Sequence, residues 1–274
     1  MHVVPGKKPE FCFIAPTAYL EAYATHSTTH LVLAHLVDND DAYAEFYRNL
    51  DDDHYIIMDN GAFELGESYE PAKLEELGHK CNANAIVLPD YPGQHQSRTI
   101  GAAEHLGPAI KAAGFDCMFV PQAEEGDLDG WIEAYEYAAN HESIDIIGMS
   151  ILGVPNAIPH ISKPYARVVM TQILIERGLF NFDKHHHYLG LNSGPKLEIP
   201  SLLNMGALDS IDSSGPIWAG LLGHKYDTDT DSFQHVSKIH APVDFDYQWI
   251  ENADTQDRIQ LNVDFTLMLF DDIE

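Results

Sequence analysis

The sequence predicts a (β/α)8 TIM barrel, a single compact α/β domain, and three observations carry that expectation. Eight short apolar runs recur along the chain, each closed by a polar or turn residue. They are apolar almost throughout instead of alternating, the pattern of strands covered on both faces. Helix-like segments separate them, and repeated strand–helix alternation signals a parallel sheet with helical crossovers.

In chain order the expected strands are Phe11–Ala15, His30–Leu36, Tyr55–Asp59, Ala85–Asp90, Cys117–Gln122, Ile144–Ser150, Tyr188–Asn192 and Ser210–Ser213. The clearest helices between them are Asp41–Leu50, Pro71–Cys81, Ser97–Ala113, Leu128–His141 and Ala166–Leu179. Ser97 and Asp127 are of the residue types that cap helix N-termini, although Gly130 in the first turn weakens the second assignment. Gly114 and Gly178 stand where a left-handed helix terminus favours glycine. The barrel core is expected over about 11–220, with a C-terminal helical extension over 221–274. That extension contains an Asp-rich loop (Tyr226–Asp231) and an amphipathic segment (Arg258–Phe270). A doubly wound open sheet is the alternative architecture. Ala15-Pro16-Thr17 stands where its dinucleotide-binding form needs a glycine-rich turn.

Composition narrows the class. A chain of 274 residues can bury a full core without staples, and its three cysteines are scattered and odd in number. No segment reads as a signal peptide or a membrane span, so a cytoplasmic protein without membrane contact is expected. The net charge of -28, from 43 acidic against 15 basic residues, is spread over every segment and fits a high-salt interior. At about 1 M salt the Debye length is roughly 3 Å, so the self-repulsion is largely screened. The same screening weakens any objection that so acidic a protein must avoid nucleic acid.

Barrels of this type carry their chemistry at the C-terminal ends of the strands. Those ends are Asp59, Asp90, Gln122, Ser150, Asn192 and Asp212. Loop-entry chemistry alone accounts for Ser150 and Asn192 as readily as ligand binding does. Three carboxylates and a glutamine on one rim describe a pocket rich in acids and amides, with no obvious cation. Such a pocket suits a neutral purine-like base: carboxylates accept from ring and exocyclic N–H groups, and the Gln122 amide can donate to a carbonyl. Phe63 could stack on that base. Two remaining carboxylates could then perform glycosyl chemistry. Asp209 and Asp212 lie three residues apart in an extended segment and so face opposite sides, one toward the pocket and one away. His185, His186 and His187 precede the expected seventh strand and alternate sides, which argues against a chelating face. No metal-ligand spacing and no cofactor fingerprint appears elsewhere.

In these residues the chain resembles the queuine/archaeosine tRNA-guanine transglycosylase superfamily, and more narrowly its compact virus-encoded DpdA-type DNA deazaguanine branch. The resemblance runs from about Phe11 to Gly220. It rests on Asp59-Asn-Gly-Ala-Phe-Glu64, Asp90, Gln122, Gly148-Met-Ser-Ile-Leu-Gly153, Tyr188-Leu-Gly-Leu-Asn-Ser193 and Asp209-Ser-Ile-Asp-Ser213, in that order. It implies that Asp212 is the nucleophile and Asp59 the general acid/base. Asp90 and Gln122 would read the base and Phe63 would stack on it, with Gly148, Ser150 and Asn192 lining the pocket. The family's zinc-binding insertion is absent from the sequence, as is room for an appended RNA-binding domain, and Val154 replaces the glutamate closing the Gly148 segment. Retaining the base pocket without the tRNA-specific parts favours DNA. The expected reaction exchanges guanine in DNA for a 7-deazaguanine through a covalent glycosyl-enzyme on Asp212. The alternatives are the same exchange on tRNA, a non-catalytic barrel or partner subunit that binds a deazapurine, and a metal-dependent hydrolase using the histidines. A homodimer is compatible with all of these.

Overall fold

Strands whose every residue is buried have no face to give to water, and the chain meets that demand by wrapping its sheet around itself. The computed structural model describes residues 8–191, 195–226 and 242–271. Its strands are β1 (Glu10–Phe13), β2 (Thr29–Val32), β3 (Tyr55–Met58), β4 (Ala85–Val87), β5 (Asp116–Phe119), β6 (Ile146–Gly148), β7 (His185–Tyr188) and β8 (Ser210–Ser213). All neighbouring pairs are parallel, in the order β1-β8-β7-β6-β5-β4-β3-β2. The remaining seam, between β1 and β2, is bridged by side chains. Glu10 accepts from Ser27 (3.3 Å) and Thr28 (2.8 Å) at its base. With helices between successive strands, this is a (β/α)8 barrel.

Period-two geometry sorts the strand residues. Phe11 packs outward on Phe270 of the last helix, and the Cys117 thiol meets the Gly107 carbonyl in the helix Gln96–Ala112. Cys12, Met118 and Asp212 therefore face the barrel interior. So does Tyr55, whose hydroxyl passes β4 to reach Asp116 on β5 (2.8 Å).

Two strands fall elsewhere than expected. The apolar stretch after His30 leaves the sheet at Val32, and Ala34–Asn39 turns into a helix burying Ala34, Leu36 and Val37. A short apolar run does not distinguish a buried strand from a buried helix face. The seventh strand is His185–Tyr188, not Tyr188–Asn192; Asn192 itself lies outside the described residues. Buried, hydrogen-bonded histidines form the strand there, which an apolar pattern cannot register. Gly130 is also reassigned. Its N–H donates to the Asp127 cap (2.9 Å), and any side chain there would collide with the Asp127 carboxylate and Gln96, so the glycine makes the cap possible. Gly114 (φ 100°) and Gly178 (φ 68°) take the left-handed conformation expected of them.

The C-terminal extension closes the barrel's flank. The helix Ala253–Asp271 packs on Gly215–Leu221, where Gly220 lets the two backbones approach. Buried Asn262 donates to the Pro216 and His224 carbonyls and accepts from the Tyr226 N–H. Residues 242–252 run along the segment after β1: Thr17 N–H donates to the Phe245 carbonyl (3.2 Å), and Trp249 packs on Tyr19 (4.9 Å). Most of the Asp-rich stretch after Tyr226 lies outside the described residues.

Gly220→Ala tests the close approach. In an open helix the change stabilises by about 1 kcal/mol. Here the added Cβ would lie 2.6 Å from Ile259 Cγ1 and 2.8 Å from its Cα. Overpacking against backbone should win, lowering stability by about 1–3 kcal/mol in urea denaturation.

Candidate active site

The strand-end residues form two groups on one rim. The first spans the ends of β3, β4 and β5. Asp59 follows β3, on the same face as Tyr55 and Ile57; its N–H donates to the Val32 carbonyl (2.8 Å) and its Oδ2 accepts from the Gly61 N–H (3.1 Å). Asn60, next in the chain, is buried. Its amide donates to the Leu88 carbonyl (2.9 Å) and to Asp90 Oδ1 (2.8 Å), while its oxygen accepts from the Ala62 N–H (2.8 Å). The other Asp90 oxygen accepts from Gln122 Nε2 (2.7 Å). Burial raises the Asp90 carboxyl above the ordinary carboxylate range, and the Asn60 and Gln122 bonds oppose that rise. The Gln122 amide is thus spent on Asp90 and not held for a ligand carbonyl. Its Oε1 is buried over Gly153, without a hydrogen-bond partner among the described residues. A buried acceptor left open is uncommon.

The second group is built on β7, β8 and β1. Asp212 points inward, 5% exposed, and its Oδ1 accepts from the Gly190 N–H (2.8 Å) and lies 3.1 Å from His187 Nε2. Oδ2 makes no hydrogen bond among the described residues, leaving one carboxylate oxygen held and one open. Cys12 is its register partner on β1. Burial, then Asp212, then Glu10 push that thiol well up, so it stays protonated and is no rival nucleophile. Asp209 serves differently: preceding β8, it accepts from the His186 N–H (2.7 Å) and braces β7.

Behind this group sits a cation that the sequence did not advertise. Arg167, on the helix Lys163–Glu176, is fully buried and paired with fully buried Glu198. Its Nε and Nη2 bond the two Glu198 oxygens (2.7 and 2.8 Å). Nη1 donates to the Met149 (3.0 Å) and Leu189 (2.9 Å) carbonyls, and Nη2 to the Gly190 carbonyl (2.8 Å). All five guanidinium donors are used. Its signal in the sequence is a lone arginine inside an otherwise apolar helical stretch, Ala166–Met170.

The other expected residues do structural work. Gly148 makes room in the interior, since a Cβ there would meet Met118 Cε at 2.6 Å and Val120 Cγ2 at 2.8 Å. Ser150 Oγ accepts from the Leu152 (3.2 Å) and Gly153 (3.0 Å) N–H groups at a helix entry. The Phe63 side chain lies outside the described residues. Asp90 and Gln122 are joined directly. Asp59 and Asp212 share the rim without a direct hydrogen bond between them among the described residues.

The fold and rim thus define the class: a (β/α)8 barrel with a buried carboxylate–amide cluster at its strand ends. No family model and no curated protein matches the chain. Among solved structures, the carboxyl transferase domain of Rhizobium etli pyruvate carboxylase, with pyruvate, is similar at 10% identity and a TM-score of 0.45. That likeness covers 73% of this chain, which spans only 36% of the other, and it has no bearing on the site.

Two outcomes follow from this geometry. Arg167→Met takes the guanidinium from buried Glu198 and strips three carbonyls of a donor, so it should cost roughly 3–5 kcal/mol by urea denaturation. For Asp90 the raised folded-state value fixes the sign. The carboxyl's contribution to stability is fully present below its ordinary value and is lost as pH rises through its folded-state value. Asp90→Asn, with the Gln122 amide turned to accept, should remove that decline from a plot of urea midpoint against pH.

Proposed function

We propose that this protein is a base-exchange transglycosylase that replaces guanine in DNA with a 7-deazaguanine. Asp212 carries the reading. It is an inward carboxylate with one oxygen fixed by a backbone N–H and faced by an imidazole nitrogen. It stands on the same strand-end rim as a buried Asp90–Gln122 pair suited to a purine edge. In the proposed reaction the open Asp212 oxygen attacks C1′ of the deoxyguanosine, the C1′–N9 bond breaks, and Asp59 gives a proton to the departing guanine. The deazaguanine enters the vacated pocket and returns a proton to Asp59. Its N9 then attacks C1′, releasing Asp212 and restoring the configuration by two inversions. Asp90 and the open Gln122 oxygen would accept N–H groups of the base throughout.

The target base must first leave its stack, which costs a few kcal/mol in a duplex. Exposed apolar side chains on the segments after β3 and β6, Leu65, Leu152 and Tyr165, fit a polymer surface that relies on contact more than charge. At high salt such contacts keep their worth while phosphate attraction fades.

Labelled-guanine exchange on DNA and on tRNA, run side by side, tests the reading. Exchange into DNA, with a covalent adduct trapped on the wild type, is the expected result. Asp212→Asn should lose the adduct and at least about 10³-fold in rate. Exchange confined to tRNA replaces the polymer, and full activity in Asp212→Asn removes the mechanism.

A further inference from the structure

The barrel interior holds a hydrogen-bond chain that ends on Asp212 and whose other members have no part in the steps above. His185 Nε2 lies 2.7 Å from Ser210 Oγ, and Ser210 Oγ lies 2.7 Å from His187 Nδ1. His187 Nε2 lies 3.1 Å from Asp212 Oδ1. All four residues are buried, and β7–β8 pairing places His187 opposite Ser210. We propose that this chain fixes His187 as the positioning residue of the nucleophile, its Nε2–H held on Asp212 Oδ1. This role rests on the transglycosylase reading; the proton arrangement does not.

Proton counting sets the direction. A carboxylate oxygen has nothing to donate, so the proton between His187 and Asp212 belongs to Nε2. A neutral His187 ring then has a bare Nδ1, which must accept the single Ser210 hydroxyl proton. Ser210 Oγ in turn accepts from His185 Nε2–H. Each donor points up the barrel toward Asp212, and the arrangement asks for no buried imidazolium. His185 fits its place at the start: burial, then His187 and His186, push its imidazole down to about 3, so it is neutral. His186, facing the other way, is engaged by Tyr135 (2.9 Å) and stands outside the chain.

The arrangement has a chemical use. Gly190 N–H and His187 Nε2–H both address Oδ1, which directs attack to Oδ2. Once Oδ2 is bonded to C1′, Oδ1 becomes the ester carbonyl. The same two donors then receive the charge that returns as the ester breaks. Without the imidazole the carboxylate keeps one donor and gains freedom to rotate, and a misplaced nucleophile loses on the order of 10²-fold in rate.

The test pairs catalysis with a readout that needs no turnover. His187→Leu should lower kcat by about 10²-fold with little change in KM for the nucleic acid. His187→Gln, whose amide can reach Oδ1 with a donor, should recover most of that loss. A purely packing role predicts that Leu and Gln are equivalent, and that result overturns the proposal. Independently, ¹⁵N NMR of histidine-labelled protein, assigned with His187→Gln, should show His187 with a protonated Nε2 and a bare Nδ1. Ser210→Ala should disturb that tautomer. A His187 ring protonated on Nδ1, alone or together with Nε2, sinks the chain whether or not the protein turns over. If the wild type exchanges no base in either polymer, the transglycosylase reading falls, and the NMR result still decides the proton arrangement.

Discussion

The buried guanidinium of Arg167 is the constraint on which the site depends. Taking an ion pair out of water costs several kcal/mol for each ion, recovered only when every donor and acceptor is matched. Arg167 meets that condition with two bonds to Glu198 and three to backbone carbonyls beyond β6 and β7. Those carbonyls belong to residues just beyond the strands, where backbone pairing between the two segments ends with the bond from the Ile151 N–H to the Leu189 carbonyl. The clamp ties together the segments that leave the barrel after β6 and β7, beside Asp212.

One peptide unit links the clamp to the chemistry. The Leu189 carbonyl accepts from Arg167 and from the Ile151 N–H, while the N–H of the same peptide, on Gly190, donates to Asp212. A cation on the oxygen and an anion on the nitrogen polarise the amide in one sense, and each bond strengthens the other in a low-dielectric interior. Gly190 permits this by adopting φ 74°, and a side chain there would crowd Ile151 at 3.0 Å. The carboxylate is thereby held by a dipole whose far end is fixed by a charge. Stability and reactivity meet at that peptide.

The sequence revealed the barrel because its evidence is local: apolar runs, the Asp127 helix cap and the turn glycines Gly114 and Gly178; the cap it missed is His95, which takes the place expected of Ser97. It revealed most of the residues near strand ends for the same reason, but not at β7, which ends at Tyr188 and not at Asn192. It concealed what those residues touch. The contact between His187 and Asp212 exists only because β7 begins at His185 and pairs with β8 in one register, and a histidine triplet carries no apolar signature of a strand. Asn60 reads as part of a turn, yet it locks Asp90, because its partner lies just beyond the end of the next strand. Arg167 looks like a solitary charge in a helix, and only the folded chain supplies Glu198 and the carbonyls that make its burial tolerable.

The acidic surface and the pocket answer to different physics. A net charge of -28 is a surface property, softened by salt because water and ions reach it. Asp212, Asp90 and the Arg167–Glu198 pair are buried, and ions screen them far less. Moving the protein between high and low salt therefore changes how strongly its outside repels itself and its partners, while the hydrogen bonds that orient the carboxylates stay in force. A polyanionic partner is consistent with this division, since repulsion at the surface is the part that salt removes. The proposed exchange needs no attraction from bulk charge at the rim, where carboxylates, amides and peptide dipoles would meet a neutral base at contact distance.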